Sequence, residues 1–247
     1  MKKTSGFTLI ELLVVISIIA LLMSMLMPAL ARVRQQAKAV VCQAQLKQWA
    51  TVIQMYAEEN REYLWEYKDW HLCWEPYYVD SKMLFCPMAK NTVDDGGRGS
   101  FMAWSDQGTY GSYGVNYYTP TLSKEDQQGA NDRILAELWQ TANYKGAARI
   151  PIIGDCGNYG AMPELADDPP EYDGDFFTKG EGSNIDEIQR FAINRHNGSV
   201  NMVFMDYSAR KVGLKGLWKL WWGKCWRDNM PLEPDWPDWM ASIGDDY

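Results

Sequence analysis

Hydrophobic and polar positions divide the chain into two regimes. Residues 7–29, FTLIELLVVISIIALLMSMLMPA, form an almost unbroken apolar run, preceded by the short cationic stretch MKKTSG and interrupted by one acid, Glu11. About 20 apolar residues at 1.5 Å rise cross a hydrocarbon core of about 30 Å, so this run predicts a membrane-spanning helix. It is longer than the apolar region of a cleaved secretory signal and lacks the small-residue cleavage site at its far end. Beyond Pro28, LARVRQQAKAVVCQAQLKQWATVIQMYAEEN holds no Gly or Pro and is rich in helix formers, which predicts continuation of the helix to about Asn60. Cys42, Leu46, Trp49, Ala50, Ile53 and Ala57 recur at three- and four-residue steps and form a stripe that can pack on a globular domain. Arg32, Arg34, Lys38 and Lys47 are left to solvent.

After residue 60 the pattern changes. RIPIIGD (149–155) is a short apolar β-prone run, and VNMVFMD (200–206) followed by ARKVG (209–213) reads as an antiparallel hairpin turning at Tyr207 and Ser208. Residues 94–97, 124–132 and the acidic stretch 157–184 read as loops. Leu214, Leu217, Trp218, Trp221, Trp222 and Cys225 fall at helical spacing and predict a short amphipathic helix whose aromatic face docks on the core. The tail carrying Pro234, Trp236, Pro237 and Trp239 reads as an extended strap whose tryptophans fill grooves. The expected fold class is α+β, with one long N-terminal helix packed on a C-terminal domain that holds an antiparallel sheet and long loops. The expected segments are 1–6, 7–30, 31–60 and 61–247.

At 247 residues there is room for one sizeable domain and a long appendage. The net charge of −8 repels nucleic acid, whose binding rests on cationic contacts to phosphate. Positive charge ahead of the apolar run predicts a cytoplasmic N-terminus, with everything after about residue 30 on the outer side. The cysteines, Cys42, Cys73, Cys86, Cys156 and Cys225, are odd in number and include no CxxC pair, so their spacing does not predict zinc. Outside the cytoplasm one or two disulfides become available to them, with pairing unassigned, against the alternative of buried thiols.

Glu11 would sit within the bilayer, where an acid costs roughly 2.5–3.5 kcal/mol on insertion scales. Lys2-Lys3-Thr4-Ser5-Gly6 followed by Phe7-Thr8-Leu9-Ile10-Glu11-Leu12 resembles the cleavage and methylation segment of type IV prepilins and type II secretion pseudopilins. The resemblance implies cleavage after Gly6 by a prepilin peptidase, N-methylation of Phe7, and neutralisation by Glu11 of the amine of a neighbouring subunit. Pro28 matches the helix-interrupting proline that many pilins carry there. The partners it implies are other pilin or pseudopilin subunits, the peptidase/methyltransferase and an inner-membrane assembly platform. The fold it implies is pilin-like.

A second resemblance lies near the C-terminus. Arg195-His196-Asn197-Gly198 leads to Asp206 with nine residues between His and Asp, similar to the His-x9-Asp-Gly segment of pilin-like proteins from planctomycetes and their relatives, except that Tyr207 stands in place of Gly. Cys86-Pro87 and residues 112–117 also resemble that group. His196 and Asp206 could join Asp155 as metal ligands, but fastening the two ends of a strand by hydrogen bonds is the preferred reading. Asp167, Asp168, Glu171, Asp173 and Asp175 offer oxygen ligands for calcium without an EF-hand register. No cofactor is otherwise expected.

With two histidines, no GxSxG and no HExxH, no catalytic constellation assembles, and the chain reads as a non-enzymatic subunit of a pilus or pseudopilus. The competing reading is a membrane-tethered module that binds carbohydrate or another polymer through exposed tryptophans.

Overall fold

A computed structural model of the chain describes residues 8–67, 70–78, 80–106, 108–175, 186–229, 231 and 233–244. The chain falls into two units, Met1–Lys38 and Ala39–Tyr247. Helix α1 (Leu9–Glu59) begins in the first and ends in the second.

In the first unit the helical surface is apolar and exposed, with Leu9, Ile10, Ile16, Leu21, Leu26 and Val33 all open. The two serines in this stretch satisfy themselves: Ser17 Oγ donates to the Val14 carbonyl at 2.8 Å and Ser24 Oγ to that of Leu21 at 2.7 Å. Such back-bonding satisfies both hydroxyls without water. The helix runs through Pro28, which has no N–H to give the carbonyl of Ser24. By length and composition this helix can cross a membrane.

In the second unit the remainder of α1 buries Cys42, Leu46, Trp49, Ala50, Val52, Ile53, Tyr56 and Ala57, the stripe read from spacing with Val52 and Tyr56 added. Arg61 and Glu62, both at positive φ, stop the helix, and the Glu62 amide bonds the Ala57 carbonyl at 2.8 Å. The short helix α2 (Trp70–Trp74) follows.

Strands β1 (Trp104–Asp106) and β2 (Thr109–Gly111) make a separate antiparallel pair. The main sheet contains β3 (Tyr113–Asn116), β4 (Pro151–Asp155), β5 (Gly160–Ala161), β6 (Ser199–Phe204) and β7 (Ala209–Gly213) in the order β5-β3-β4-β6-β7. It is antiparallel throughout except that β5 runs parallel to β3. The expected β6–β7 hairpin forms with Val203 opposite Ala209. Its turn closes through Tyr207 N–H to Phe204 O at 2.8 Å, with Tyr207 at φ +60°, the left-handed region that explains why glycine suits this position.

One strand went unread and two expectations need correction. Strand β3 lies inside the sheet although Tyr-Gly-Val-Asn carries no alternating pattern; all four residues are buried, so no polar face alternates with an apolar one. Residues 124–132, expected to be loop, start two short helices, α3 (Lys124–Gly129) and α4 (Asp132–Glu137). Each is capped by a side chain, Ser123 Oγ accepting from Asp126 N at 3.1 Å and Asn131 Oδ1 from Arg133 N at 2.9 Å. The single amphipathic helix expected over 214–225 is instead a 3₁₀ turn, Lys215–Lys219, and the helix α5 (Lys224–Asp228). Leu214, Leu217, Trp218 and Trp222 are nevertheless buried, as the docking reading required.

Tryptophan builds much of this core. None of the twelve is exposed, and eleven donate their indole N–H, to targets such as Met83 O from Trp49, Tyr159 O from Trp70 and Leu64 O from Trp74. Each ring supplies a large apolar body while its polar edge satisfies a carbonyl or side-chain oxygen. Trp221 lies under the guanidinium of Arg149 at 4.7 Å. Trp236 packs edge-on against Trp218, and Trp239 donates to Pro170 O, so the C-terminal strap holds as expected.

Candidate functional site

Two places carry chemistry, one in each unit. The first is the start of α1. Thr8 precedes the helix, and Glu11 is its third residue. One Glu11 carboxylate oxygen accepts the Thr8 backbone N–H at 2.8 Å and the Thr8 hydroxyl at 2.6 Å, while the Glu11 N–H donates to Thr8 Oγ1 at 3.3 Å. This is a reciprocal capping box, a signal present in the Thr-x-x-Glu spacing. It turns the only acid of the apolar segment toward the positive end of the helix, where unpaired N–H groups favour negative charge. Gly6 and Phe7 lie outside the described residues.

The second place is interior to the domain. Asp155 ends β4 and points into the core. His196 lies in the turn that leads into β6, a turn made by Asn197 and Gly198 at positive φ and closed by Gly198 N–H to Asn194 Oδ1 at 2.6 Å. Cys42 comes from the buried stripe of α1. Cys86 follows the 3₁₀ turn Ser81–Leu84, and its N–H donates to Ser112 Oγ at 2.6 Å. His196 Nε2 is 3.1 Å from Asp155 Oδ2 and 3.4 Å from Cys86 Sγ; Cys42 Sγ is 3.6 Å from Asp155 Oδ2. The four ligand-type atoms all lie within 4.8 Å of one another, and all four residues are buried.

Around them stands a ring of oriented donors. Arg195 Nη1 reaches Asp155 Oδ1 at 3.3 Å, and its other N–H groups bond the carbonyls of Ser100, Ser112, Met102 and Cys156. The Asn201 N–H donates to Asp155 Oδ2 at 2.8 Å, and the Tyr113 hydroxyl to Cys42 Sγ at 3.3 Å. Burial alone would raise the Asp155 carboxyl, but the charge and hydrogen bond of His196, with Arg195 and the Asn201 amide, hold it at about 2. Burial alone would lower His196, but Asp155 and Cys86 raise it to about 9. Burial, reinforced by Cys42 and Asp155, pushes the Cys86 thiol far up. His196 Nδ1 is buried and has no hydrogen-bond partner among the described residues.

The structure thus joins Asp155 and His196 and places Asp206 elsewhere. Asp206 caps the opposite end of β6, its Oδ1 accepting the Ser208 N–H at 3.0 Å and hydroxyl at 2.6 Å. His196 and Asp206 do bracket one strand, but only Asp206 bonds a backbone group there; the His196 ring reaches the side chains of Asp155 and Cys86 instead. Asp173 bonds the Ser100 hydroxyl and the Asn194 N–H, tying its loop to two other segments, and Asp175 accepts the Glu171 N–H within the loop. All five cysteines have free thiols. Cys73 and Cys225 are half-buried, and Cys156 is buried beside, not within, the four-residue cluster. Sequence reasoning missed Cys42 and Cys86 as neighbours of His196, and Arg195 as the buried cation. The binding reading invoked exposed tryptophans, and the structure has none.

The prokaryotic N-terminal methylation motif matches residues 1–27 of the chain. The type IV wide pilus major component PilA4 of Thermus thermophilus is 43% identical over 63 residues, which are 26% of this chain and 48% of that protein. The chain therefore spans about half the length of the curated relative it matches. No solved structure matches it. These findings support a type IV pilin-like protein.

Proposed function

We propose that this chain is a structural subunit that polymerises through α1 into a type IV pilus or a type II secretion pseudopilus after cleavage following Gly6 and N-methylation of Phe7. The supporting observation is the start of α1: an exposed apolar segment whose single acid, Glu11, is held at the N-terminal end by Thr8, under a match to the methylation motif. An apolar surface of this kind is stable in lipid before assembly and against like helices afterwards, because neither environment asks it to give up hydration. Glu11 is the one group that such packing cannot leave alone, and a neighbouring subunit's N-terminal amine is a counter-charge of the right sign. The N-terminus would face the cytoplasm before assembly and the domain the outer side.

Intact-mass analysis of the protein from its native membrane or from sheared filaments tests this reading. A chain beginning at N-methylated Phe7 is expected. Retention of Met1 to Gly6 in the membrane fraction, with none of the chain in sheared filaments, would reduce α1 to a signal anchor and end the filament proposal.

A further inference from the structure

We propose that Cys42, Cys86, Asp155 and His196 form a structural metal site for a divalent transition ion, zinc by the chemistry of the donors, which staples α1 to the sheet. Two sulfurs, one imidazole nitrogen and one carboxylate oxygen are the donor types that zinc takes in closed, four-coordinate sites. The spacing is close to that of such a site. A tetrahedron with zinc–ligand bonds of about 2.0–2.3 Å has edges of about 3.3–3.8 Å. Of the six separations in the cluster, Cys86 to His196 at 3.4 Å and Cys42 to Asp155 at 3.6 Å fall in that range, His196 to Asp155 at 3.1 Å is slightly under it, and all lie within 4.8 Å.

Charge balance points the same way. A doubly charged ion with two thiolates and the Asp155 carboxylate leaves one negative charge, and Arg195, fully buried at 3.3 Å from Asp155, cancels it. Binding releases three protons to solvent, one from each thiol and one from Nε2 of His196, since thiolate and neutral imidazole are the ligating forms. The surroundings have the character of a supporting shell: Tyr113 donates to Cys42 Sγ, while Arg195 and the Asn201 amide fix the two oxygens of Asp155. The burial of all four ligands leaves no open position for a substrate, so the site is structural. The ligands come from α1, the segment after Leu84, the end of β4 and the turn before β6. One ion therefore ties together four segments far apart in sequence. CxxC spacing could not disclose this.

The test uses the full-length chain purified in detergent micelles under reducing conditions. Elemental analysis is expected to find about one zinc per chain, and cobalt(II) exchanged into the protein is expected to show thiolate-to-metal charge transfer with intense tetrahedral d–d bands. Cys86→Ser should weaken binding tenfold or more, while Cys225→Ser, outside the cluster, should keep both signals. If the unsubstituted protein, folded by its tryptophan near-ultraviolet dichroism, takes up neither zinc nor cobalt, the site does not exist. Retention of the cobalt bands in Cys86→Ser would place the metal elsewhere. Peptide mapping that finds Cys42 and Cys86 joined by a disulfide in protein from native membranes would replace the metal with a covalent staple and overturn the proposal.

Discussion

Asp155 Oδ1 lies 3.3 Å from Arg195 Nη1 with both side chains wholly excluded from solvent. Four backbone carbonyls also hold the guanidinium, so it cannot turn toward water when its partner is lost. Asp155→Ala should therefore destabilise the protein by about 3–5 kcal/mol, the range for stranding one member of a buried pair. Urea denaturation in the presence of chelator, which removes any metal contribution, measures it. A loss under about 1 kcal/mol, the value of an exposed pair, would show that water reaches the pair.

Glu11 and Thr8 share one capping box, yet only Glu11 is proposed to act between subunits. Glu11→Ala should insert in the membrane and be processed but assemble poorly. Thr8→Ala loses a cap worth about 0.5–2 kcal/mol of helix stability and should still assemble. Sheared-filament yield at equal membrane protein level reads the difference. Full yield from Glu11→Ala would confine that residue to capping.

Burial is the main cause that raises the Asp167 carboxyl to about 7, and the backbone N–H groups of Glu164 and Ile188 oppose the rise. In the unfolded chain the group ionises near pH 4. Between about pH 4 and pH 7 the folded state therefore binds more protons, and this group's contribution to stability is present at the acid end and lost as pH rises. Asp167→Asn removes that titration. The melting temperature of the variant relative to the parent should climb from pH 5 to pH 8, by thermal denaturation across that range; a constant difference would show that the carboxyl ionises normally.

Gly114, in β3, leaves no room for a methyl group: a Cβ there would stand 2.4 Å from the Asn158 carbonyl oxygen and 2.8 Å from Cys156 Sγ. Gly114→Ala should cost about 1–3 kcal/mol or more, because the obstruction includes backbone. Gly129, at the end of α3, has no atom within 4 Å of such a Cβ, so Gly129→Ala should be neutral or slightly stabilising. Paired denaturation curves decide it, and equal effects would contradict the β3 packing.

What could be read along the chain was whatever repeats along one element. Helix α1 announced itself by an apolar run and then by a three- and four-residue stripe, and its start even carried the Thr8–Glu11 capping signal. Strands β4, β6 and β7 announced themselves as apolar runs or as a hairpin, each a property of neighbouring residues. The caps Ser123 and Asn131 were visible too, but polar segments this short score as loop until a domain packs against them.

Strand β3 and the buried cluster depended instead on the three-dimensional arrangement. Tyr-Gly-Val-Asn becomes a strand because β4 and β5 pair with its two edges inside a sheet that leaves all four residues buried, which no local periodicity encodes. Cys42 and Asp155 stand 113 positions apart, and Cys86 and His196 stand 110 apart. Local propensity acts over a few residues, whereas side chains this distant meet only when the sheet and the buried face of α1 close on one core. The N-terminal chemistry was therefore legible in the order of residues, and the interior chemistry only in the folded chain.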